Sequence, residues 1–115
     1  MPTPVLARGQ VNTILNAATA TGAGTAYQVP LKNRNWGDWT TTFVWQVNVD
    51  GTFSGLSVNL EGSLDGVNWS TLSNIAVNGG GMEVVASSPV AFVRANVVTF
   101  TGGTNVSVLL TVGDI

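Results

Sequence analysis

Apolar and polar side chains alternate along most of this chain with a period of two. In TTTFVWQVNVDG (40–51), Phe43, Trp45, Val47 and Val49 share one face, with Val44, Gln46 and Asn48 on the other. In GLSVNLEGSLDG (55–66), Leu56, Val58, Leu60 and Leu64 alternate with Ser57, Asn59, Glu61 and Ser63. MEVVAS puts Met82, Val84 and Ala86 on one side, and AFVRANVVTF sets Val93, Ala95 and Val97 against Phe92, Arg94 and Asn96. NVSVLLTV sends Val106, Val108, Leu110 and Val112 inward. A period of two is the signature of a strand with one buried face, and no window keeps a helical period for more than about a turn. Between the runs stand turn formers: VDGTFSG, LDGVN, NGGG, SSP and FTGGTN. The Asp-Gly pairs at 50–51 and 65–66 read as tight hairpin turns, because glycine accepts the positive φ such turns need. Adding VNTIL and AYQVPL gives roughly eight strands, which predicts an all-β fold: a single antiparallel β-sandwich or jelly roll.

Two segments break the pattern. Residues 1–10, with prolines at 2 and 4, read as an extended arm, and NAATATGAGT (16–25) as a flexible connection. The expected organisation is therefore an arm and connection over 1–24, followed by a sandwich domain over 25–115. Such an arm either frays in solvent or lies on a neighbouring subunit.

Composition narrows the chemistry. The 115 residues include no cysteine and no histidine. Disulfides and thiolate metal sites are excluded, as are the commonest general base and every Ser-His or Cys-His pair. Four basic and six acidic side chains are too few for the basic footprint of a nucleic-acid binder. No apolar run is long enough to span a bilayer, and the first ten residues lack a secretory-signal pattern. The expectation is a soluble chain made in the cytoplasm, with neither nucleic acid nor membrane as partner. So little charge also favours association over a free monomer.

The candidate reactive groups are sparse. Glu61 and Asp65 lie four apart on a strand and its turn, which is not the paired geometry of a glycosidase. DGVNWS offers Asp65, Asn68 and Ser70 oxygens to a cation, but with a single acid. NGGGM lacks the Lys-Ser/Thr of a phosphate loop and reads as a hairpin tip. Arg94, the only cation in the second half of the chain, faces water or pairs across strands with Glu61 or Glu83. Trp45 belongs to the core, and Trp69 closes the end of the sandwich. Trp36 and Trp39, in KNRNWGDW with Arg34, Asn35 and Asp38, have three readings. They stack on a sugar, anchor a protein interface, or fold back over the sheet. No catalytic, cofactor or metal site is expected.

VNLEGSLDGVNWSTL, followed by VAFVRANVVTFTGGTNVSVLLTVG, resembles a pattern in small β-sandwich proteins of tailed-phage virions, over about residues 56–112. The resemblance implies a non-enzymatic head decoration, or cement, protein on the outer capsid surface. Such a subunit would bind the major capsid protein lattice, as a trimer, with Pro2, Pro4, Val5, Leu6, Arg8, Arg34, Trp36 and Trp39 as contacts. The alternatives are a tail or collar part, or a carbohydrate-binding module using Trp36 and Trp39.

Overall fold

The computed structural model describes residues 4–30, 41–86 and 90–114. Among the described residues nine strands run in the order β1 (Val11–Ala18), β2 (Gly22–Ala23), β3 (Tyr27–Gln28), β4 (Thr41–Asp50), β5 (Gly55–Ser63), β6 (Ser70–Ile75), β7 (Gly81–Val85), β8 (Phe92–Thr101) and β9 (Asn105–Asp114). They form two antiparallel sheets. One has the order β1-β9-β4-β7; the other has the order β2-β8-β5-β6, with β3 also on β8.

The pairings are nested. β5 pairs with β6, β4 with β7, β2 and β3 with β8, and β1 with β9. The chain therefore behaves as one long hairpin with its tip at 64–69, wrapped into two sheets. This is a jelly roll, with β2 and β3 as two short pieces of a single position in the order. Most connections cross between the sheets, and residues 64–69 make the hairpin that stays within one.

The inward alternation predicted for β4, β5, β8 and β9 is observed within those strands, except that Leu64, expected inward, lies beyond the end of β5 and is 76% exposed in the turn. Phe43, Trp45, Leu60, Val58, Val93, Ala95, Val106 and Val108 are all fully buried between the sheets. Each strand contributes every second side chain, and the two inner faces interdigitate into one core.

Three details differ from the sequence reading. Asp50-Gly51 does not close a hairpin, because β4 and β5 lie in different sheets; it starts a crossing, held by the Thr104 amide donating to the Asp50 carbonyl at 2.8 Å. NGGG is likewise a crossing from β6 to β7. Gly80 has φ +83°, and a Cβ there would stand 2.2 Å from the Val47 carbonyl oxygen, so the chain needs glycine at this point. Finally, Met82 and Val84 face outward, 60% and 64% exposed. Their partners are Gln46 and Val44, the outward positions of β4, so Gly81, Glu83 and Val85 take the inner side.

The first residues also pack differently. β1 lies in the four-stranded sheet, and β2 extends the other across 22–23. Ahead of β1, Val5 bridges to Gln28 in parallel, the Leu6 amide donates to the Gln28 carbonyl at 3.0 Å, and Gly9 donates to Val112. Asn12 fastens this turn, accepting from the Ala7 amide at 2.9 Å and donating to the Ala7 and Leu110 carbonyls. Leu6 is 3% exposed and joins the core, whereas Val5 is 59% exposed. Residues 4–10 thus lie on their own sandwich, so their removal would open the core. Leu6→Ala should cost about 2–4 kcal/mol in urea denaturation, and Val5→Ala less than about 0.5 kcal/mol. Equal effects would show that Leu6 is not a core residue.

Candidate functional site

The outer faces of the two sheets differ in chemistry. On the five-stranded sheet the outward positions are polar and bonded to one another. Register puts Glu61 opposite Arg94, and the Arg94 Nε donates to Glu61 Oε1 at 2.7 Å while Asn96 Nδ2 donates to Oε2 at 3.0 Å. Arg94 Cζ stands 4.3 Å from the centroid of the Trp69 ring. Trp69 therefore lies against this outer face, under a cation, rather than closing the end of the sandwich. Glu83, the other acid considered for Arg94, lies on β7 in the opposite sheet. Nearby, Asn74 Nδ2 donates to Asn59 Oδ1 at 2.7 Å and to Ser57 Oγ at 3.0 Å. Glu61 is 9% exposed although it points outward, because its neighbours cover it. A carboxylate with both oxygens engaged by fixed donors is a structural group, not an accessible acid or base.

The turn at the tip is equally self-contained. Asp65 Oδ1 accepts from the Ser63 hydroxyl at 2.9 Å and from the Val67 and Asn68 amides at 2.8 Å each. Oδ2 accepts from Asn68 Nδ2 at 2.9 Å. Ser63 Oγ in turn accepts from the Asp65 and Gly66 amides. The backbone amides of Asn68 and Val67 hold the Asp65 carboxyl well below the usual carboxylate range, with the Asn68 and Ser63 side chains adding to the effect. The side-chain nitrogen of Asn68 thus faces Asp65, and a cation there would find one acid whose oxygens are taken. Among the described residues, no three acids, histidines or cysteines converge on a metal-sized site. A depression of about 320 Å³ beside the turn is lined by Gly62, Ser63, Leu64, Asp65, Asn68, Ser70, Leu72 and Val90.

The four-stranded sheet presents the opposite chemistry. Val11 pairs with Thr111, Thr111 with Val44, and Val44 with Val84, making one row across four strands. The next row runs Thr13, Leu109, Gln46, Met82. Val11 is 67% exposed, and Met82 and Val84 are close behind. A shallow depression of about 200 Å³ crosses this face, lined by Val11, Val44, Gln46, Met82, Leu109, Leu110 and Thr111. The apolar positions Val11, Val44, Val84, Leu109 and Met82 are interrupted by Thr111, Thr13 and Gln46, and exposed apolar area of this kind is a feature of contact surfaces.

The residues expected to make contacts are scattered. Pro4 and Val5 are exposed, while Leu6 is in the core. Arg8 is half-buried, and its Nε donates to the Pro30 carbonyl at 3.1 Å. Pro2, Arg34, Trp36 and Trp39 lie outside the described residues. The apolar face was not among the expected contacts, yet it has a signal. FVW, VLL and EVV break the alternation with apolar residues at consecutive positions, as strands covered on both faces do.

Neither a protein-family model nor a curated relative matches the chain. Solved structures do resemble it. The SPBc2 prophage-derived protein YomS superposes with a TM-score of 0.63 at 16% identity, over 90% of this chain and 91% of that one. The PBSX exported protein XepA gives 0.59 at 16% identity over 96% of this chain, which spans 39% of XepA. These likenesses establish the fold.

Asp65 generates a pH prediction. A carboxyl with a lowered folded-state pKa contributes stability above its unfolded value, ordinarily 3.8, and loses it as pH falls towards the folded value. The stability gap between the native chain and Asp65→Ala should therefore be full at about pH 6 and shrink steadily from about pH 4 to about pH 2. A gap independent of pH would show that the carboxylate does not hold the turn.

Proposed function

We propose that this chain is a non-enzymatic structural protein of a tailed-phage virion, a decoration subunit that covers and stabilises the lattice of the major capsid protein. Supporting this is, above all, the end-to-end likeness to a prophage-derived protein of nearly the same length, YomS. The resemblance of residues 56–112 to virion β-sandwich proteins points the same way.

The physical chemistry fits that role. Among the described residues, Glu61, Arg94, Asn96, Asn59 and Asn74 on the polar face are bonded to each other, which suits a scaffold. An uncovered apolar face, by contrast, gains free energy when it is covered. A subunit that binds the assembled shell and not its free parts stabilises the shell by mass action, with no chemistry required. Self-association of the subunit would multiply each weak lattice contact through avidity.

The test is the copy number of the chain in purified particles, measured by quantitative mass spectrometry against the major shell protein. A ratio within a few-fold of unity is expected for a lattice-covering subunit. A trace ratio would move the chain to the tail or collar, and its absence from particles would overturn the virion role.

A further inference from the structure

We propose that the outer face of the β1-β9-β4-β7 sheet is a self-association surface, and that two copies pack there face to face across a two-fold axis. The proposal goes beyond the virion reading and does not depend on it, since it concerns the free protein.

Three observations select a second copy as the occupant. The first is charge. An isologous contact sets each patch against itself, so any charge near the axis meets its own sign. The two rows through Val11, Thr111, Val44 and Val84 and through Thr13, Leu109, Gln46 and Met82 carry no charge. Asp50 stands at the far end of β4, about 13 Å along the strand from Gln46. Among the described residues these two rows can therefore meet their copies without repulsion, and they offer a charged partner nothing to pair with.

The second is area. Three strands about 4.8 Å apart, each presenting roughly 25 Å of length, and the five-residue β7, presenting about 17 Å, give a flat footprint of about 440 Å² per copy. Two copies bury about 900 Å² before side-chain relief is counted, the size of a weak, concentration-dependent contact below the about 1,200 Å² of stable interfaces. Two apolar sheet faces pack at about 10 Å, the same solution the core of each copy already uses.

The third is what the edges exclude. β7 and β1 border this sheet, and sheets often grow by edge pairing. An antiparallel β7–β7 contact centred on the strand would put Glu83 against Glu83 of the second copy. β1 is irregular: its pairing with β9 shifts register twice, between Thr13 and Leu15 and between Leu15 and Ala18. Ala17 adds a left-handed backbone at φ 52°. With one edge charged and the other bulged, association is directed to the face.

A face packed on itself closes at two copies, where the sequence reading expected three. Analytical ultracentrifugation of the full chain over a wide concentration range separates these. The expected result is a species of twice the 11.9 kDa mass, shifted to monomer in Val84→Glu, with circular dichroism and melting temperature close to the native chain's. Val11→Glu, at the opposite border of the face, should do the same and guards against a folding defect peculiar to β7. Thr71→Glu, on the polar face, should leave the dimer intact. A monomer at all concentrations, a trimer, or a dimer that survives both face substitutions would overturn the proposal. A monomer that still binds particles would place the shell protein on this face instead, leaving the virion role standing.

Discussion

The fold depends on a nested set of strand pairings that closes around one turn. Residues 64–69 return β5 onto β6, and each later pairing encloses the one before it, until Val11 meets Thr111. Long-range pairings pay their loop-closure entropy before they gain contacts, so a chain of this topology relies on a tip that forms locally. The Ser63–Asp65–Asn68 network supplies it. Within six residues the Asp65 and Ser63 oxygens satisfy the amides of residues 65–68, so the turn is specified by its own side chains.

From that tip outward the two sheets divide their work. The inner faces make a single apolar core containing Phe43, Trp45 and Leu60. The outer face of the five-stranded sheet is sealed by the Glu61, Arg94, Asn96 and Trp69 group, which leaves few polar groups to attract a ligand. The opposite face, with Val11, Val44, Met82, Val84 and Leu109, presents apolar surface whose covering would release free energy. Such a face gains free energy when it is covered, which is what the proposed structural role requires.

Much of this was legible before the fold was known. Strict alternation in 55–61 and 92–97 marks the inner faces, because a period of two has one structural meaning. Arg94 has three readings in the sequence, facing water or pairing with Glu61 or with Glu83, and register decides for Glu61: Glu83 lies across the core, in the other sheet. What stayed hidden was set by strand order, which local pattern does not encode. Asp50-Gly51 and NGGG look like hairpin turns, yet they cross between sheets. Met82 and Val84 have inward character but face out, since their register is fixed by β4. Leu6 lies in a stretch with two prolines and little periodicity, and its burial follows from a parallel bridge to Gln28 that no neighbour in sequence announces.

The most direct measurement uses the absence of native cysteine. Val84→Cys and Thr71→Cys place one thiol each on the apolar and the polar outer face, and maleimide labelling of the assembled protein compares them. The expected result is slow labelling at position 84 that becomes fast on dilution to monomer, with position 71 fast throughout. Equal, concentration-independent labelling at both positions would contradict a covered face.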